Sequence, residues 1–217
     1  MFMGLPFTAQ EFFSVFERYN EAIFPMQFLI LLLGVTGIIL IHSRSPIKRK
    51  SIAVLLGFLW LWTGSVYHIG FFSAINKAAY VFGGLFILQG LFILYEAYVR
   101  NKLTFGFRGH LIDFLGYFFI LFGLVVYPAI SFAFEKSLAR TITLGLPCPS
   151  TILTFGFLML AERNLPKYLL IIPSLWAVIG LSAALNFGVY QDLMMIVAAL
   201  LANLMLIGRK NQKNNNP

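Results

Sequence analysis

Thr141-Ile-Thr-Leu-Gly-Leu-Pro-Cys-Pro-Ser-Thr-Ile-Leu-Thr-Phe-Gly-Phe-Leu-Met-Leu-Ala161 is the stretch on which the architecture turns. It is apolar enough to enter a bilayer, yet prolines stand on both sides of Cys148, where a spanning helix would have to be continuous. Proline has no N–H and its ring clashes with the preceding turn, so the backbone must be irregular there. If this stretch crosses, the chain has seven spans. If it dips in and returns, there are six, and every later loop changes sides.

The rest of the chain supplies the test. A hydrocarbon core of about 30 Å needs roughly 20 apolar residues as a helix. Ala22 to Ile41, Ile52 to Phe72, Ala78 to Val99 and Leu111 to Phe134 qualify outright, and Tyr168 to Leu185 and Val189 to Ile207 follow the interrupted stretch. Lys and Arg concentrate in cytoplasmic loops. With seven spans and an outside N-terminus, Arg44, Lys48, Arg49, Lys50, Arg100, Lys102, Arg108, Arg163, Lys167, Arg209, Lys210 and Lys213 fall inside. Only Arg18, Lys77, Lys136 and Arg140 of the 16 basic residues fall outside. Six spans would put more basic residues outside than inside, against the expected bias. The sequence therefore predicts an all-α, polytopic membrane helical bundle with seven transmembrane helices, N-terminus outside and C-terminus cytoplasmic.

Composition agrees with a bilayer, at 59% hydrophobic and 11% charged residues. The +8 charge needs no nucleic acid, because basic loops facing an anionic leaflet account for it. The expected partners are the lipid bilayer and a small-molecule or ion ligand. A single cysteine excludes an intramolecular disulfide. Residues 208–217 are too polar to pack and are expected to form a disordered cytoplasmic tail after a transmembrane domain over 22–207.

Residues 1–21 form the remaining segment. Thr8 and Glu11 have capping-box spacing, and Phe7 and Phe12 that of the hydrophobic staple beside it. A helix should begin there, with Phe12, Val15, Phe16 and Tyr19 on one face, lying amphipathically in the interface.

Polar side chains in a bilayer are costly and collect where function is. Tyr67, His68 and Asn76 end the second span, Cys148 opens the fifth, and Asn186, Gln191 and Asp192 join the sixth to the seventh. All seven belong to the outer ends, which makes them the candidate pocket. The free N–H groups at the start of the fifth helix would make that pocket locally positive, fit for an anion or an activated Cys148. Each also has a structural reading: His68 as an interfacial residue, Asn76 and Asn186 as left-handed helix caps, Asp192 as an N-cap, Gly57 and Gly64 as helix-contact positions. The inner face offers carboxylates with partners in reach, Glu96 with Arg100 and Asp113 with Arg108 and His110. The aromatic residues, 17% of the chain, read as lipid contact and packing.

Residues 19–27, 59–68, 145–151 and 188–193, with Gly-Leu-Pro-Cys-Pro the most distinctive part, resemble an uncharacterised family of bacterial polytopic integral membrane proteins, a domain of unknown function. The resemblance covers nearly the whole chain. It implies a bacterial inner-membrane protein and gives no residue a role.

Three functions remain open on these grounds. The first is binding or transport of a small solute or ion through the outward-facing pocket; the second is an accessory subunit or small-molecule sensor. The third is a metal- or thiol-dependent membrane enzyme using His68, Cys148 and Asp192. Against it, the chain has no His-Glu-x-x-His, no Gly-x-Ser-x-Gly and no phosphate-binding glycine loop.

Overall fold

A computed structural model describes residues 6–162 and 165–214, the side chains of 207–214 excepted. Arg163 thus lies outside the described residues, as do the side chains of Arg209, Lys210 and Lys213. The described chain is all-α, with no strand: α1 Ala9–Ile23, α2 Met26–Ile41, α3 Pro46–Ala74, α4 Ala79–Val99, α5 Leu111–Glu135, α6 Pro147–Met159, α7 Lys167–Phe187 and α8 Leu193–Asn214. The last helix continues through most of the segment expected to be a disordered tail.

Side-chain contacts fix the direction of each helix. A Cβ on Gly64 would stand 2.8 Å from the Gly83 carbonyl oxygen, and one on Gly90 2.9 Å from that of Gly57, so α3 and α4 run antiparallel with their backbones in close approach. That approach is what small residues permit between membrane helices. Gly156 against Gly116, and Gly123 against Pro149, place α6 antiparallel to α5 in the same way. Asn203 bonds Ser174 while Met195 fills the space at Gly180, which sets α8 antiparallel to α7. With Trp60 on Thr154, Gln89 on Leu169, and Gly34 and Gly37 on Leu153 and Phe157, consecutive helices from α2 to α8 alternate in direction, so their ends collect into two groups.

Four helices, α3, α4, α5 and α7, are long and apolar enough to cross a membrane, and a fifth crossing is reached if α1 and α2, bent by 89° at their junction, count as one. α6 and Tyr190–Leu206 are apolar but shorter. Length thus supports four or five crossings where seven are expected. The reason for the shortfall at α6 is the proline-bounded break, since its 13 residues measure only about 20 Å. The outward faces carry large exposed apolar side chains, among them Phe28, Ile39, Val81, Phe114, Val125 and Val178. Water-facing surfaces do not tolerate such a band, whereas lipid does.

α6 is the core. Every residue in it except Cys148 is buried, as befits a helix apolar on all sides. The irregular chain before it is also buried, and side chains satisfy its backbone. Gly145, at φ +98°, accepts at its carbonyl from the Tyr19 hydroxyl (3.0 Å) and the Thr63 hydroxyl (3.2 Å), and its N–H donates to Ser150 Oγ (3.1 Å). Asn20 donates to the Ala139 and Thr141 carbonyls, and Ser131 Oγ accepts from Ile142 N–H. Backbone of this kind survives at depth only when enclosed by protein. Thr63 lies roughly 16 Å from the Ala74 end of α3 at helical rise, so the chain descends well into the bundle before α6 begins.

α1 lies across the mouth of that descent. Glu11 N–H donates to Thr8 Oγ1 (3.2 Å) and Thr8 N–H to the Glu11 carboxylate (2.7 Å), while the Phe7 and Phe12 rings stack at 6.0 Å. The expected capping box and staple are thus both formed. Phe12, Val15, Phe16 and Tyr19 are buried against the bundle, so the apolar face expected to lie in the interface meets protein instead.

Candidate functional site

The site begins with local departures from regular helix. Over Thr63–Phe71 α3 takes the wider i→i+5 turn. Tyr67 and His68, adjacent in sequence, are both buried there. A second wide turn, Phe122–Val126, delivers Tyr127 inward from α5. α7 ends on Gly188 in the left-handed region (φ +73°), and the chain folds back so that Asp192 enters the bundle ahead of α8. Such i→i+5 turns often mark functional sites.

These three elements meet the start of α6. Tyr127 O–H donates to Asp192 Oδ1 (2.5 Å) and the Cys148 thiol to Oδ2 (3.4 Å). Each carboxylate oxygen therefore accepts a hydrogen bond, Asp192 is 1% exposed, and no salt bridge among the described residues reaches it. Beside this cluster is a cavity of about 130 Å³ between α1, α3, α4, α6 and α7. Its walls are mainly rings, with Phe12, Phe72, Phe82, Trp176 and Phe187 prominent, and exposed Ser182 stands at its edge.

The seven expected residues divide. Tyr67, Asn76, Cys148 and Asp192 line the cavity. His68 does not join Cys148 and Asp192: it stands behind the wall, ringed by Tyr67, Phe72, Phe82, Phe86 and Trp176, with neither ring nitrogen hydrogen-bonded. No group of three or more His, Cys, Asp or Glu side chains among the described residues is placed to hold a metal. Asn186 is exposed and bonds the Ser182 carbonyl of its own helix, and Gln191 lines a separate surface hollow with Ser131 and Glu135. The left-handed caps expected at Asn76 and Asn186 are absent. Gly188 holds that conformation after α7, while Asn76 accepts from Ala78 N–H at the start of α4.

The locally positive pocket is also corrected. Pro147 and Pro149 contribute no N–H, and the anion beside the helix start is internal, the Asp192 carboxylate. Cys148 there serves as a hydrogen-bond donor. The residues that sequence reasoning missed are Tyr127 and Trp176, neither of which stands out among so many aromatics.

The opposite end of the bundle is built from ion pairs. Arg108 holds Asp113 at 2.6 Å, Arg49 holds Glu162 at 3.1 Å, and Glu96 receives Arg100 at 3.9 Å together with the Tyr168 hydroxyl. The pairings expected at Glu96 and Asp113 are formed.

No curated protein and no solved structure matches the chain. Over residues 9–216 it matches the family of unknown function DUF6064, and the chain belongs to that family.

Proposed function

We propose that this is an integral membrane protein that binds a small solute in the cavity beneath α1, acting as a binding or sensing component of the bacterial inner membrane. The observation that carries this reading is the position of the cavity. It opens at one end of the bundle, and below it the interior is filled by Trp60, Phe86, Phe119, Phe155 and the buried body of α6. Trp60 Nε1 donates to Thr154 Oγ1 across that level, tying α3 to α6. A recess closed by a packed core suits binding better than passage.

The same reading takes α2 to α8 as seven crossings. Their alternating direction supports it, and the descending chain before α6 adds reach to a helix too short alone. The twelve-to-four division of basic residues sets the cavity toward the outside. Cys148, half-buried on the cavity wall, is the natural reporter. A small uncharged methanethiosulfonate added to intact spheroplasts is expected to modify it, and a solute occupying the cavity to slow the modification. Complete resistance in the native protein, with reaction after denaturation, would overturn the outward-open recess.

A further inference from the structure

We infer that the ligand of this cavity is a small uncharged hydrophobe about the size of one substituted ring, and that ions and ionised solutes are excluded. The inference rests on the solute-binding reading above and narrows it to a chemical class.

Size is the first argument. A cavity near 130 Å³ is close to the roughly 150 Å³ apolar void that accommodates benzene in an engineered protein core. It is too small for a lipid headgroup or a sugar with its hydration.

Polarity is the second. Asp192, the sole acidic residue on the wall, has both oxygens committed, to Tyr127 and to Cys148, and is 1% exposed. A cation entering the cavity would therefore exchange its water for apolar walls and one almost wholly buried carboxylate that already accepts from two neutral donors. An anion would meet the same carboxylate and no basic side chain, since none lines the cavity. Burying an ion without a partner costs far more than ring contacts return. For a neutral ring the balance reverses: the rings of Phe12, Phe72, Phe82, Trp176 and Phe187 offer stacked and edge contacts. The half-buried thiol of Cys148 and the amide of Asn76 remain for at most one weak polar group on the ligand.

The site is also open at its edge. Its edge carries exposed Ser182 together with half-buried Phe7, Asn76 and Phe187, at the end of the bundle where α1 lies.

The test uses the full chain in nanodiscs and fluorine NMR with three probes: 4-fluoroethylbenzene, its isostere 4-fluorobenzylammonium, and 4-fluorobenzoate. The methyl-to-ammonium change alters charge and almost nothing else. The neutral probe is expected to bind, with the two ions weaker by about tenfold or more, the consequence of leaving a charge unpaired in an apolar cavity. Specific binding must vanish in Ala183→Leu, which fills the cavity from α7, or in Ile179→Phe if the first variant fails to fold. Either variant is expected to keep thermal stability at or above that of the parent, because it replaces a void by apolar atoms.

If the ammonium probe binds as well as the neutral one, and Asp192→Asn removes that binding, the neutral class is overturned while the solute site stands. Preferential binding of the benzoate has the same consequence. If no probe shows a signal that the filled variants abolish, the neutral class and the solute-binding reading both fall.

Discussion

The two ends of this bundle treat buried carboxylates in opposite ways. At the end carrying the Arg108 loop, Asp113 is fully buried yet sits 2.6 Å from an arginine, and it also accepts from the Arg108 and His110 N–H groups. At the end carrying α1, Asp192 is equally buried, but its partners are a phenol and a thiol. A paired charge is costly to break and does little else. An unpaired carboxylate held by neutral donors beside a cavity is an expense that packing alone does not explain. On the proposed reading the contrast separates architecture from function: ion pairs hold the helices in register at one end, while at the other the carboxylate stands beside an open space.

The sharpest way to break that contrast is to remove Arg108. Arg108→Ala removes the guanidinium 2.6 Å from buried Asp113 and its hydrogen bond to the Ala161 carbonyl. Loss of a charge-assisted pair on a buried carboxylate costs about 2–3 kcal/mol, so thermal unfolding in detergent is expected to shift down clearly, with little change in any ligand affinity. A variant that lost binding while keeping its stability would assign function to the wrong end.

Next in size is the seam between α5 and α6. A Cβ on Gly156 would lie 2.5 Å from the Gly116 carbonyl oxygen and 2.7 Å from Ile120. Gly156→Val is expected to push the helices apart at a cost of about 2 kcal/mol, as overpacking does elsewhere, again read by thermal unfolding. Tolerance of valine would mean that the close approach, and the central position of α6 that rests on it, is wrong.

Asp192→Asn should be mild by comparison. The amide oxygen still accepts from Tyr127, so the cost is about 1 kcal/mol, that of one ordinary hydrogen bond. Cys148 reactivity toward thiol reagents should nevertheless change, because its acceptor is altered. A loss of stability equal to that of Arg108→Ala would make Asp192 a structural residue and erase the difference between the ends.

Local chemistry carried much of this into the sequence. Thr8 and Glu11 announce the start of α1 because a capping box is a contact between residues three apart. Gly145-Leu-Pro-Cys-Pro announces irregular backbone because proline acts on its immediate neighbours. The polar residues at span ends could be sorted by sidedness, and four of the seven line one cavity. What remained hidden depends on partners distant in sequence. Nothing in the 19–27 segment says that Tyr19 will bond Gly145, and Tyr127 looks like any lipid-facing aromatic until α5 widens by one turn ahead of it. His68 was drawn into the site by sidedness alone. The wide turn in α3 buries it behind the wall formed by Trp176, a placement that periodicity at 3.6 residues does not give.

The smallest effect lies at the entrance, where α1 is held by its cap. Glu11 is lowered from its usual value of 4.5, first by the hydrogen bond from the Thr8 backbone N–H and then by that from the Thr8 hydroxyl. A carboxyl with a depressed folded value stabilises the folded form above its unfolded value and loses that contribution as pH falls through the folded one. The cap should therefore be intact from about pH 5 upward and weaken below 4.5. Hydrogen exchange of the first turn of α1, corrected for intrinsic rates, is expected to lose protection in that acid window. Glu11→Gln should remove the pH dependence there, and the core of α6 should show none in either protein. The core of α6 serves as the internal control: loss of protection there as well would mean that acid opens the whole bundle, whereas loss confined to the first turn of α1 would show that this helix over the cavity is fastened separately from the helices beneath it.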